Sequence, residues 1–308
     1  MMSVNYKIGM KTMVVQLVTE GKELISESEY GTVRQQFVND QLTYLTISHR
    51  LCEAKLSLFG GQVLSWQPNG QQEVFWLSRK SAFDQSRPIR GGIPICWPWF
   101  GLLVNESSHG FARNSVWQLS DLKIGPDAVN IIITLDTTEH PKWKGNFRLT
   151  QTLSFSDVFT QSMMMENLSA QPLNLSFALH SYFKVSHPEN ATIPALVGSS
   201  FENKIAGTKQ IKQLEPVNGL GPIDNIYYNS KSATIIDKGW DRAIEINKSN
   251  ASQWVLWNPG SITASSMDDV HQHGEQEFVC LEAANTQWLS LEANGALTVG
   301  QEIKVYNL

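Results

Sequence analysis

The sequence predicts an all-β fold, a large antiparallel β-sandwich, and three observations carry that prediction. Apolar residues recur at period two along most of the chain, turn signals separate these stretches, and almost no segment shows the 3.6-residue apolar repeat of a helix. Period two sends alternate side chains to opposite faces, so such a segment reads as a strand with one buried face. Many short strands of this kind bury those faces by packing sheet on sheet. The chain has 308 residues and no evident repeat or linker. All-β folds often exceed roughly 200 residues as one unit, so a single domain is expected.

The first forty residues fit this texture least. Leu17, Leu24 and Ile25 match one face of a helix, Gly21 interrupts it, and Glu27, Ser28, Glu29 and Gly31 read as solvated. Residues 1–40 are therefore expected to form an N-terminal extension, part of it helical, ahead of a β-sandwich over 41–308. In that domain Ala54, Leu56 and Leu58 alternate with Glu53, Lys55 and Ser57. Val129, Ile131, Ile133 and Leu135 alternate with Asn130, Thr134 and Asp136, Ile132 being the exception. Leu149, Leu153 and Phe155 alternate with Thr150, Thr152 and Ser154. Pro68-Asn69-Gly70, Gly125-Pro126-Asp127, Asn218-Gly219 and Asn294-Gly295 supply turns.

Composition narrows the partners. The 24 basic and 29 acidic residues leave a net charge of −5, with no basic stripe for nucleic acid. Three cysteines, Cys52, Cys96 and Cys280, have no metal-site spacing and cannot all pair, which fits a reducing compartment. No run approaches the roughly 18 apolar residues of a membrane span. The apolar stretch from Met13 to Val18 is short, broken by Gln16 and followed by Glu20 and Glu23. A cytoplasmic protein without membrane or nucleic-acid partners is expected.

From Pro88 to Asn114, arginines, a histidine and aromatics stand among Gly and Pro, beginning Pro-Ile-Arg-Gly-Gly-Ile-Pro-Ile-Cys-Trp-Pro-Trp-Phe-Gly and ending His-Gly-Phe-Ala-Arg-Asn. Such a run suits irregular, rigid backbone more than a core strand. Arg90 and Arg113 suggest an anion, and Trp97, Trp99 and Phe100 an apolar surface for a sugar face; surface charges and packed tryptophans are the plainer alternative. From Leu173 to Val185, Leu173, Leu175, Phe177, Leu179, Phe183 and Val185 take one strand face. His180 takes the polar face with Asn174, Ser176, Tyr182 and Lys184, either held for chemistry or simply solvated. On a second strand, Phe278 to Ala284, Glu282 shares a face with Phe278, Cys280 and Ala284. It is either a buried carboxyl with a raised pKa, suited to a general base, or a strand-end acid facing water.

His271, His273, Glu275 and Glu277 have strand-like alternate spacing that invites a metal, but with Gln272, Gly274, Asp268 and Asp269 they read as an exposed polar loop, and no metal is expected. There is no Gly-x-Ser-x-Gly elbow, phosphate loop or dinucleotide fingerprint.

Together these segments resemble the hexose-6-phosphate mutarotases (glucose-6-phosphate 1-epimerases) of the aldose 1-epimerase-like superfamily. The likeness runs from about Gly60 to Glu282. It rests on Gly60-Gly61-Gln62-Val63-Leu64-Ser65-Trp66, Val74-Phe75-Trp76-Leu77-Ser78, the Ile89-to-Gly101 run, His109-Gly110-Phe111-Ala112-Arg113-Asn114, Leu179-His180-Ser181-Tyr182-Phe183, Trp257-Asn258-Pro259 and Val279-Cys280-Leu281-Glu282. The resemblance implies a galactose mutarotase-like sandwich, with His180 and Glu282 as catalytic residues. It also implies that Arg90 and Arg113 hold a sugar phosphate, that His109 lines the pocket, and that Asp224 grips sugar hydroxyls. Ser108 stands where some relatives carry a longer polar side chain, and Asn225 where an Arg often follows the Asp.

The implied reaction interconverts the α and β anomers of a hexose 6-phosphate by acid–base ring opening and reclosure, with no cofactor. Bidentate arginines suit the phosphate, and Trp97, Trp99 or Trp257 could stack on the ring. Two other readings are a non-catalytic sugar-phosphate binding or sensing module on the same fold, and a carbohydrate-cleaving enzyme pairing Glu282 with Asp224.

Overall fold

The computed structural model describes residues 17–18, 22–37, 42–103, 105–137, 143 and 145–308. Among them the strands form three antiparallel sheets. The first is a six-stranded meander of Leu17–Val18, Lys22–Ser28, Gly31–Phe37, Thr43–His49, Cys52–Ser57 and Gln62–Pro68. The second has nine strands, in the order Val217–Asn218, Ala191–Ile193, Ala233–Asp237, Arg242–Ser249, Ala296–Asn307, Val158–Asn167, Phe147–Phe155, Val129–Thr137 and Gln118–Ile124. The third follows the order Thr208–Lys212, Ser200–Asn203, Ile223–Tyr228, Gln253–Asn258, Phe278–Leu291, Leu173–Leu179 and Ile95–Cys96, with Tyr182–Lys184 also pairing with Phe278–Leu291. Their inner faces share one large core, from Val33 and Leu45 through Phe147 and Leu153 to Phe177 and Leu281.

The alternating segments become strands as expected. Phe147–Phe155 is buried at Phe147, Leu149, Gln151, Leu153 and Phe155, and more open between them. Two of the predicted turns fall between strands: Gly125-Pro126-Asp127 joins the paired strands Gln118–Ile124 and Val129–Thr137, and Asn294-Gly295 carries the chain from Phe278–Leu291 of the third sheet to Ala296–Asn307 of the second.

The helix expected near the N-terminus is corrected. Leu24 and Ile25 lie in the strand Lys22–Ser28, which pairs with Gly31–Phe37 through a register shift between Leu24 and Ser26. The shift breaks period two, which is why the segment reads poorly as a strand. Gly31–Phe37 in turn pairs with Thr43–His49 across the expected boundary at residue 40. Leu17 belongs to the short strand Leu17–Val18; residues 1–16 lie outside the described ones.

A break in one strand positions the site. Leu173–Leu179 stops at His180 and the chain resumes as Tyr182–Lys184, both pieces pairing with Phe278–Leu291. Leu179 opposes Ala283 and Tyr182 opposes Cys280, so His180 and Ser181 face Leu281 and Glu282 across the gap. His180 and Glu282 are far apart along the chain, and strand register alone closes that distance.

Candidate active site

Two rows of side chains run across one face of the third sheet. Asp224 opposes Trp257, Trp257 opposes Cys280, and Cys280 opposes Tyr182; in the next row Ile226, Val255 and Glu282 stand in register, leading to His180. The described residues of the Gly- and Pro-rich run 88–114 fold over this face as irregular backbone, with one two-residue strand and one short 3-10 turn. Gly110 shows why the run needs glycine. Its φ is +70°, and a Cβ there would collide with the Trp97 carbonyl.

A cleft of about 760 Å³ lies between sheet and loop. Arg90, Ser108, His109, Arg113, His180, Asp224 and Glu282, all seven residues singled out in the sequence, line it. The solvated readings of His180 and Glu282 fail: they are 7% and 1% exposed. His180 Nδ1 lies 3.3 Å from Glu282 Oε1 without hydrogen-bond alignment, and neither His180 Nδ1 nor Glu282 Oε2 has a hydrogen-bond partner. The His180 ring stacks on Tyr182, centroids 4.8 Å apart and planes 6° from parallel, and its backbone N–H donates to the Pro94 carbonyl.

Burial dominates the electrostatics. It pushes the His180 pKa well below the ordinary histidine value, aided by His109, Arg113 and Arg90. It pushes Glu282 well above the ordinary carboxylate range, aided by Asp224 and opposed by Arg113. The pair therefore favours neutral imidazole beside protonated carboxyl, one proton between two groups. His109 is pushed down to about 3 by burial and the two arginines. Its backbone is left-handed, φ +64°, and its Nδ1 accepts the Gly101 N–H at 3.3 Å. Burial also raises the pKa of Asp224.

The two arginines are not equivalent. Arg90 reaches Asp269 Oδ2 at 3.0 Å through both Nε and Nη2, and its Nη1 donates to the Tyr182 hydroxyl at 2.9 Å. Burial works against its charge, but Tyr182 and Asp269 outweigh burial and hold its pKa above the ordinary value. Among the described residues Arg113 has no such acid. Its Nη2 donates to the Ser108 carbonyl at 2.6 Å, its Nε is buried without a partner, and burial lowers its pKa. A buried guanidinium with an unmet donor is prepared for an anion.

Some sequence expectations are corrected. Asp269, read as part of an exposed polar loop, is 8% exposed and holds Arg90. Trp97 and Trp99 do not line the cleft; they pack in the main core against Phe111, with Trp97 also against Phe147. Trp257 and Phe100 do line it. Asn225, where an Arg often follows the Asp, points to the other face of its strand and donates to the Tyr227 hydroxyl. His271 precedes the 3-10 turn Gly274–Gln276, and its Nε2 is 3.0 Å from Glu277 while its Nδ1 accepts the Arg79 N–H. Among the described residues no three His, Cys, Asp or Glu side chains converge as a metal site. At the rim, Glu202 pairs with Lys204 at 3.2 Å and Lys209 at 3.9 Å, lining residues that no local motif marked.

Comparison with known proteins fits this architecture. The family profile described as "Aldose 1-epimerase" matches residues 43–304. The chain belongs to the aldose 1-epimerase family. Within the family it is 32% identical over 251 residues to the "Putative glucose-6-phosphate 1-epimerase" of Escherichia coli (strain K12), spanning 80% of this chain and 84% of that one. A solved structure titled as a "putative mutarotase" from Salmonella typhimurium superposes with a TM-score of 0.83 at 28% identity, over 92% of this chain and 97% of that one. The galactose 1-epimerase of Lactobacillus acidophilus NCFM, at 12% identity and a TM-score of 0.71, shares the fold over 93% of this chain and 98% of its own. No helix among the described residues is long and apolar enough to cross a membrane.

Proposed function

We propose that this member of the aldose 1-epimerase family interconverts the α and β anomers of hexose 6-phosphates, glucose 6-phosphate among them. The observation that carries the reading is the meeting of His180 and Glu282 in the cleft that also holds the uncompensated guanidinium of Arg113. Mutarotation needs one base and one acid, which the pair supplies with a single shared proton. In the ion-pair form of the same pair, with the shared proton on His180, Glu282 as carboxylate takes the proton from the anomeric hydroxyl; the C1–O1 bond becomes a carbonyl and the C1–O5 bond breaks. The imidazolium of His180 protonates O5. The open-chain aldehyde then turns about C1–C2. On reclosure O5 attacks the other face of C1, His180 recovers its proton, and Glu282 returns one to O1.

After ring opening the pair holds protonated Glu282 and neutral His180, the state that burial favours. The cleft thus favours the pair's protonation state at the open-chain stage, during which the aldehyde must rotate. Arg113, with the outward edge of Arg90, would hold the phosphate while Asp224 takes sugar hydroxyls and Trp257 offers an apolar face. The test compares anomer exchange of glucose 6-phosphate and glucose by exchange NMR. A strong advantage for the phosphorylated sugar, lost in Arg113→Ala, supports the reading. Equal rates for both sugars contradict the phosphate assignment, and saturable binding without acceleration would identify a binding module instead.

A further inference from the structure

Three glutamines cross the protein interior in single file. Gln151, Gln161 and Gln301 are all buried and stand on three neighbouring strands of the second sheet, Phe147–Phe155, Val158–Asn167 and Ala296–Asn307. Gln161 and Gln301 are direct cross-strand partners. Gln151 Nε2 donates to the Gly61 carbonyl at 2.7 Å, Gln161 Nε2 to Gln151 Oε1 at 2.7 Å, and Gln301 Nε2 to Gln161 Oε1 at 2.8 Å. At the far end the Gln301 amide meets the Ser181 hydroxyl, with Nε2 at 3.1 Å and Oε1 at 3.3 Å from Oγ. Gly61 belongs to the hairpin of the first sheet and Ser181 to the broken strand of the third, so the row ties all three sheets together.

Ser181 is the residue between His180 and Tyr182. Its hydroxyl enters the core while the two flanking rings stack on one another at the cleft. Its carbonyl accepts the N–H of Leu281 at 3.2 Å, one residue from Glu282. The row therefore ends at the joint between the two residues of the acid–base pair, where the strand is interrupted and ladder bonding is thinnest. Three apolar side chains would fill the same volume without burying amides, since buried polar groups cost free energy unless bonded. A fully bonded row of amides with one direction adds a unique geometry, because each member fixes the next.

We infer that the Gln151–Gln161–Gln301 row positions His180, acting through Ser181 to set the corner that aims the imidazole at Glu282. This rests on the acid–base reading above. Gln301 is a positioning residue, since it touches neither the cleft nor the pair.

The test uses the full chain with Gln301→Met, which is close in volume and removes both polar atoms, beside Gln161→Met and Ser181→Ala. Two readouts are taken: kcat and KM for glucose 6-phosphate by exchange NMR, and the His180 imidazole nitrogen resonances, which need no turnover. A displacement of about 1 Å can cost on the order of 10²-fold in rate. Gln301→Met is therefore expected to lose about 10- to 100-fold in kcat, with KM within about twofold. The His180 resonances shift in the same variant while those of His49, on the first sheet, do not. Gln161→Met gives a smaller loss in the same direction. A folded Gln301→Met with wild-type kcat and unmoved His180 resonances overturns the inference. If that variant fails to fold, Ser181→Ala, which deletes one hydroxyl, is measured by the same two readouts, and wild-type values in both overturn the inference equally. If the wild-type protein accelerates no anomer exchange, the acid–base reading fails, and the imidazole resonances alone decide whether the row positions His180.

Discussion

Asp269 grips Arg90 through a single carboxylate oxygen, Oδ2, which lies 3.0 Å from both Nε and Nη2 of the guanidinium. The geometry leaves Nη1 to the Tyr182 hydroxyl and fixes the plane of the arginine at the wall of the cleft. It also neutralises one of the two guanidiniums that line the cleft, so that Arg113 is left as the one with no ion pair among the described residues.

Removing Asp269 should leave the Arg90 side chain, 24% exposed, without its acid. Breaking a buried pair from one side typically costs about 3–5 kcal/mol. This pair is partly exposed, so Asp269→Ala is expected to lower stability by less than that in urea melts. An anion binding the freed guanidinium should restore part of the loss, since ligands that bind only the folded state stabilise it. Inorganic phosphate should raise the melting temperature of Asp269→Ala more than that of the wild type. An equal shift in both proteins would contradict the pairing.

Arg113 makes the opposite case. Its charge is buried without an acid, so Arg113→Met should not destabilise the protein and should weaken binding of the phosphorylated sugar. Hydrogen bonds to charged groups contribute about 1.5–3 kcal/mol, which predicts a KM for glucose 6-phosphate raised roughly 10- to 100-fold. Steady-state kinetics check this, with binding of unphosphorylated glucose as the control. A KM that rises equally for both sugars would mean Arg113 does not meet the phosphate.

Much of this arrangement is legible in the chain itself. The strands can be read wherever burial follows period two, as in Phe147–Phe155, because one apolar face is what the pattern reports. Lys22–Ser28 escapes such a reading because its register shift breaks the pattern and Leu17, Leu24 and Ile25 fall by chance at helical spacing. Arg90, Arg113, His180 and Glu282 stand out locally, but their roles and the choice of His109, Asp224 and Ser108 come from family resemblance, since only register brings His180 and Glu282 together and local sequence does not report register. Asp269 is hidden for the same reason: its partner is 179 positions away, and a polar neighbourhood looks solvated. Trp97 and Trp99 mislead because a Pro- and Gly-rich run that carries cleft residues on one side also sends large rings into the core on the other.

The raised pKa of Glu282 has a stability consequence with a definite sign. The unfolded carboxyl ionises above about its ordinary 4.5, while the folded one keeps its proton. The folded state then binds more protons, so stability falls as pH rises from that value toward the folded pKa. Glu282→Gln lacks this loss. The variant's stability relative to wild type should therefore increase as pH rises above about 4.5 into the neutral range, measured by urea denaturation. A difference that stays flat over that range would mean Glu282 is ionised in the folded protein.

The central claim is that His180 and Glu282 act as one acid–base pair on an anomeric centre. Exchange NMR between the α and β anomers of glucose 6-phosphate tests it most directly, with wild type, His180→Ala and Glu282→Gln at equal concentration. Each group is expected to supply roughly 10²–10⁴-fold, so each variant should fall by at least about 10²-fold while remaining folded. Wild-type exchange rates in either variant would contradict the claim.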